Sequence, residues 1–357
     1  MLSDLTASAR RLALVGLAKN TGKTEALAAL LRELEVSGRH VGVTSVGRDG
    51  EERDVINAEI RKPRVFLPGG SLVATTDALL RASALPHDLL QSTGVRTPLG
   101  EVLIARLRGR GAIEVAGPSD AAGLREVAEA MLGFGAEQVL IDGAIDRRAA
   151  SSPAVADGLL ISTGAILSHD IEEVVTITRE AVELVRLPVL DEDPRALRAL
   201  AENELTAFIG EDLEPVPLPP RFILTSEGGE TAQLLDAHPQ ARWLTIAGAL
   251  PDRFLSQLAH ATHRRRRELT VVVADPTKVF LSGHGLSWFR AQGIEIKALE
   301  TITLHAITAN PVAPESHRFD SIQLRTLLQE AIPDVPIFDV LHPDYPGVHP
   351  TVSATTR

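Results

Sequence analysis

Cysteine is missing from the chain altogether. Disulfides, thiolate nucleophiles, iron–sulfur clusters and cysteine-held zinc are thereby excluded. Aromatic residues are scarce too, 3% of the total, with one Tyr and two Trp. The apolar mass is Ala, Leu, Val and Ile instead, the usual content of an α/β protein whose strands are buried on both faces. Positive charge is in deficit: 36 Lys and Arg against 47 Asp and Glu give a net charge of −11. Such a surface repels phosphate backbones, which argues against nucleic acid as the main partner. One basic cluster exists, Arg264–Arg267, with no aromatic residue interleaved. It reads either as a patch for phosphate or an acidic partner or as a solvated helix end whose arginines complement the dipole.

Metal and membrane signatures are lacking in the same way. The eleven His are scattered, with no HxxxH or HExxH pair to build a metal face. No stretch approaches the ~20 apolar residues of a membrane span. Arg10 and Arg11 ahead of the apolar run Leu12–Ala18 imitate a signal peptide, but the run is short and flows directly into a glycine loop. A cytoplasmic protein without membrane contact is expected.

What is present is an alternation of strand-length apolar runs with helical patterns. LALVG (Leu12–Gly16) precedes a helix over about Lys23–Val36, with Leu27, Leu30, Leu31 and Leu34 on one stripe and Gly38 as the stop. Further strands are expected at His40–Val46, around Arg64–Thr76, at Gln138–Gly143 and at Gly158–Thr163. Helices are expected near Asp77–Ala84, Asp120–Phe134 and Ile171–Val185. Glu101–Gly117 reads as two strands joined by a tight Gly-Arg-Gly turn. This pattern predicts an α/β fold with a mainly parallel sheet covered on both sides.

The strongest chemistry lies in GLAKNTGKT, Gly16 to Thr24, between the first strand and its helix. Phosphates need several backbone N–H donors converging on one point and a positive field, and a glycine-containing turn feeding a helix N-terminus supplies both. Gly16, Lys19, Asn20, Thr21, Gly22, Lys23 and Thr24 are the candidate nucleotide-binding residues. Lys23 is expected on the β- and γ-phosphates and the Thr24 hydroxyl on Mg²⁺. The usual spacing GxxxxGK[ST] requires Gly at position 17, where this chain has Leu17; Gly16 makes the loop one residue longer. No NKxD-like guanine-reading motif is present, so ATP is the expected nucleotide.

Two carboxylates are candidates for the metal. Asp142 ends the apolar run QVLID like a Walker B residue, facing Mg²⁺ or its water shell; the other reading is a cap on the Asp-Gly turn. Asp49, with Asp54 in the charged segment after the second strand, is either a second metal-facing group or part of a solvated loop. Lys23 and Asp142 are thus the candidate catalytic pair. Arg147, Ser162–Ala165 and Ala274–Lys278 also sit at or just after strand ends, where α/β sites occur.

At 357 residues two domains are expected. A P-loop nucleotide-binding domain is placed over 1–203, and a Pro-rich connector containing EDLEPVPLPP over 204–220. A second, smaller α/β domain follows over 221–341, with a poorly ordered tail over 342–357.

The longer loop resembles that of dethiobiotin synthetase and its relatives in the SIMIBI group of P-loop proteins. Taken with LIDGAIDRR, SSPAVADGLLISTGA, ADPTKVF and TANPVAP, it is similar to a family of P-loop ATPases identified as the reactivase subunit of lysine 5,6-aminomutase. That resemblance implies a chaperone-like factor in which ATP drives exchange of damaged cobalamin from an adenosylcobalamin-dependent aminomutase. It also implies a MutS-like ATPase partner, and the SIMIBI likeness implies a homodimer across the nucleotide site. The alternative is an ATP-dependent ligase of the dethiobiotin synthetase type, acting on a small carboxylate or amine. Such a ligase needs cations facing the γ-phosphate, and Lys19 is the one the sequence offers nearby. A metallochaperone is disfavoured by the missing Cys and the unclustered His.

Overall fold

The computed structural model describes residues 1–47, 64–144, 148–190, 206–210, 215–218, 228–265, 268–314 and 317–345. The fold is mixed α/β and divides into two compact units. One comprises Met1–Arg179 and the chain from Ile302 onward, the other Glu180–Thr301.

In chain order the first unit begins with α1 (Leu2–Leu5), β1 (Arg11–Gly16), α2 (Lys23–Val36), β2 (Val41–Ser45), β3 (Val65–Leu67) and β4 (Leu72–Thr76). It continues through α3 (Asp77–Ala82), β5 (His87–Thr97), β6 (Gly100–Leu107), β7 (Gly111–Ile113), α4 (Ala121–Gly133), β8 (Gln138–Ala144), β9 (Gly158–Gly164) and α5 (Ile171–Val185), within which the division falls. The second unit holds β10 (Ala207–Ile209), β11 (Pro215–Pro217), α6 (Gly228–Ala237), β12 (Trp243–Ile246), β13 (Leu250–Pro251), α7 (Asp252–Arg265), β14 (Leu269–Val273), β15 (Val279–Phe280), α8 (Leu286–Ala291) and β16 (Ile294–Ala298). The first unit then resumes with β17 (Thr303–Asn310), α9 (Ser321–Ala331) and β18 (Ile337–Phe338).

The first unit is organised by a nine-stranded sheet in the order β18-β17-β9-β1-β8-β2-β4-β6-β5. From β18 to β4 every neighbouring pair is parallel; β6 then runs antiparallel to both β4 and β5. β1 lies between β8 and β9 with Leu12, Ala13 and Leu14 fully buried, as a central strand covered on both faces must be. Leu12, Leu14, Val41, Val43, Leu140 and Leu160 share one core with Leu27, Leu30, Leu31 and Leu34 of α2. Each fully buried Leu contributes roughly 2 kcal/mol of transfer free energy. Side chains alternate along a strand, so Ser45, Asp142 and Ser162, two residues beyond Val43, Leu140 and Leu160, point to this same α2 face. The opposite face takes α4 and α5. Gly42 leaves room for Met131 of α4, since a Cβ there would stand 2.7 Å from its Cε. Thr163 bonds Thr178 of α5 at 2.6 Å.

The second unit has its own five-stranded sheet, β11-β10-β12-β14-β16, with β12, β14 and β16 parallel. Its core gathers Phe254, Leu255 and Leu258 of α7 with Leu244, Val271, Val273, Phe289 and Ile296.

The domain boundaries expected from sequence are corrected. Residues 221–341 are not one domain, because β17 pairs with β9 along Thr303–Asn310 and carries β18 and α9 into the nine-stranded sheet. The second unit is therefore an insertion over Glu180–Thr301, and the first does not end at 203. The described part of 204–220 is no connector either: β10 and β11 pair as the edge of the second sheet, with Pro215 and Pro217 on the outermost strand, where a missing N–H is tolerated. Of the tail, His342–Tyr345 is ordered and Tyr345 is buried; the remainder lies outside the described residues. The Gly109-Arg110-Gly111 turn does not close a hairpin, since β6 pairs with β4 and β5 while β7 pairs with β3. No helix among the described residues is long and apolar enough to cross a membrane.

Candidate functional site

The carboxyl ends of the parallel strands meet along one edge of the large sheet, and the loop after β1 lies at its centre. Gly16 closes β1. A Cβ there would sit 2.5 Å from Thr21 Oγ1 and 3.1 Å from the Ala18 carbonyl, so the loop folds back over a residue that must be glycine. Thr21 is buried and donates its hydroxyl to the Ala18 carbonyl at 3.1 Å. Asn20 and Gly22 are both left-handed, with φ of 65° and 84°. Leu17 N–H donates to the Ser162 carbonyl at 2.9 Å, and the next main-chain donor with an acceptor is Ala26, to the Gly22 carbonyl at 3.0 Å. Between them, none of the described residues accepts from the N–H groups of Ala18 through Glu25. The result is a turn of mixed handedness whose amides have no acceptor among the described residues, at the positive end of a helix of 14 residues.

Lys23 is the first residue of α2, and its ammonium is ion-paired with Asp142 Oδ1. The two side chains are 21% and 24% exposed, reachable but sheltered. Asp142 is held in β8 with Leu14 and Ser45 as its neighbours across the sheet, and its carbonyl accepts from Val46 N–H at 3.0 Å. That register rules out the turn-capping reading of Asp142, because the residue lies within the strand and its carboxylate faces Lys23. Thr24 is half-buried beside this pair, and its hydroxyl has no partner among the described residues. Lys19 is exposed at the loop tip and forms no ion pair among the described residues.

Lys23, Thr24 and Asp142 are thus brought to one place under the loop. Asp49, Asp54, Asp146 and Arg147 lie outside the described residues. Ser162 and Thr163 are fasteners: Ser162 Oγ bonds Thr308 Oγ1 at 2.8 Å, and Thr163 bonds α5. In the second unit Asp275 Oδ1 accepts from Thr277 N–H at 2.8 Å and from the Thr277 hydroxyl, so ADPTK is a capped strand-end turn. Among the described residues no cluster of three or more His, Asp or Glu could hold a metal by itself. Asp142 and Thr24 are the residues here that could contribute to holding a cation such as Mg²⁺, which takes many of its ligands from water and phosphates.

Two features escaped sequence reasoning. Asn310, at the end of β17, donates Nδ2–H to the Asn20 carbonyl at 3.2 Å. A shallow depression of about 10 Å³, open to solvent and with room for little more than a water molecule, runs from Thr21 and Glu25 past Asn310 to Asp339 and Leu341. Its only signal in the sequence is the polar residue closing each of two late apolar runs, in TAN and IFD.

No family model, curated protein or solved structure matches this chain.

Proposed function

We propose that the chain is a P-loop ATPase in which Gly16–Thr24 holds the phosphates of Mg²⁺-ATP. The observation that carries this reading is the run of unclaimed amides from Ala18 to Glu25 lying over the Lys23–Asp142 pair. Lys23 would exchange its pairing with Asp142 for the β- and γ-phosphates, and Thr24 with Asp142 would hold the Mg²⁺ that neutralises them. Asp142, freed of its ammonium, would then orient the metal's water shell, while α2 directs its positive end at the phosphates.

For the role of this ATPase we propose a reactivating, chaperone-like factor for an adenosylcobalamin-dependent aminomutase, working with a MutS-like ATPase. The support is the likeness of the sequence motifs set out above. Calorimetric titration with Mg²⁺-ATP tests the site, with a complex expected in wild type and binding roughly 10- to 100-fold weaker in Lys23→Ala. Equal binding by both removes the assignment. Turnover measured with and without an aminomutase tests the role. Stimulation by a small carboxylate or amine, and none by the mutase, hands the site to a ligase instead.

A further inference from the structure

The phosphate loop is built near residue 20, yet a contact that shapes it arrives from residue 310, after the inserted unit. Asn310 is the last residue of β17, and three contacts fix it. Its Oδ1 accepts from Val312 N–H at 3.1 Å, which settles which end of the amide faces the loop. Its Nδ2–H then points at the Asn20 carbonyl, 3.2 Å away. Its backbone sits against Gly164, where an added Cβ would stand 2.3 Å from the Asn310 carbonyl oxygen, so β9 and β17 bring it in without play. The Asn310 Cβ also lies 3.1 Å from where a Cβ on Gly22 would stand.

We propose that Asn310 is a positioning residue for the phosphate loop, holding the Asn20–Thr21 peptide so that its N–H faces the anion seat. The inference rests on the reading of Gly16–Thr24 as a polyphosphate site. Its physical core is peptide planarity. The carbonyl of residue 20 and the N–H of residue 21 are trans in one plane, so drawing the carbonyl toward β17 turns the N–H to the opposite side. Asn20 is left-handed, a conformation that asparagine adopts more readily than other residues bearing a Cβ, and it is this turn that brings its carbonyl within reach of Asn310. An amide is the side chain that meets both demands, donating at one end and accepting at the other.

The test uses the full chain and two probes, inorganic tripolyphosphate and ATP, each with Mg²⁺. Asn310→Ala should weaken both by the same factor, about three- to tenfold for one neutral hydrogen bond. The melting temperature of the ligand-free protein should stay as in wild type, and in ATP turnover the loss should fall on KM more than on kcat. Asn310→Asp keeps the shape and the Val312 contact but cannot donate, so it should show the same paired loss when compared with wild type in high salt. Weakened ATP with unchanged tripolyphosphate would mean that the side chain touches the nucleoside and does not set the loop, which overturns the inference. Unchanged affinity for both overturns it equally. Wild-type protein that takes up neither probe overturns the phosphate-loop reading itself, and this inference with it.

Discussion

At the scale of single residues, the Lys23–Asp142 pair is open to a direct test. The pair is largely sheltered, so removing Lys23 alone should cost more than the ~1 kcal/mol of an exposed pair, up to about 3 kcal/mol, without unfolding the protein. Lys23→Ala should nevertheless weaken Mg²⁺-ATP binding roughly 10- to 100-fold, the range for losing a charge-assisted hydrogen bond. Asp142→Asn keeps a partner for Lys23 and removes the charge proposed to hold Mg²⁺. Its affinity for ATP without metal should hold while Mg²⁺-dependent turnover falls, and an equal loss of both with loss of stability counts against the metal role. A different residue sets the response to acid. His305 on β17 is held below the ordinary His range by burial, against the opposing pull of the Leu5 backbone and the Asp157 carboxylate. The folded state therefore refuses a proton that the unfolded chain accepts below the unperturbed value of about 6.5. Its contribution is fully present above that value and is lost as pH falls toward the lowered folded pKa. Urea midpoints should drop between pH 7.5 and 5.5, and His305→Asn should shrink that drop.

At the scale of elements, the helices were the most legible. Lys23–Val36 and Ile171–Val185 have the bounds that their apolar spacing and flanking residues announce. β5 was not legible: it is a half-exposed edge strand whose QSTGVRT stretch has no apolar alternation, and its register shifts twice against β6. Nor could the sequence show what holds α2 at its far end. Glu33 is a buried carboxylate that accepts from Ser3 N–H at 2.7 Å and from the Tyr345 hydroxyl, tying both termini of the unit to the helix that carries Lys23. Burial and the Glu33 carboxylate push the Tyr345 hydroxyl well above its ordinary pKa, so it stays a donor at any working pH. Tyr345→Phe leaves that buried acceptor one bond short and should destabilise the protein by about 1–3 kcal/mol. ATP affinity should be retained, since the contact lies three helical turns from the loop. Thermal melts with paired titrations check both halves.

At the scale of the whole molecule, the division is not legible in the sequence, because it depends on a pairing that no local pattern announces. β17 reads like any other buried strand, and only its register against β9, more than 130 residues earlier, assigns it to the first sheet. A contiguous chain of strands and helices from 221 to 341 is the simpler inference from sequence, but burying LHAITAN beside the β9 edge overrides it. This has a thermodynamic consequence. Each unit has its own sheet and its own apolar core, so each can unfold as a cooperative body. Calorimetry should then resolve two transitions. Mg²⁺-ATP at a hundred times its Kd should raise the one belonging to the first unit by about 2.7 kcal/mol of binding free energy and leave the other in place. Phe254, fully buried in α7, identifies the second transition: Phe254→Ala should lower it by about 3–5 kcal/mol while the ATP-dependent shift persists. A single transition that moves as one body under both perturbations would mean that the inserted unit is energetically fused to the first unit. Its folding would then be a condition of the site, and the separate cores would not mark separate cooperative units.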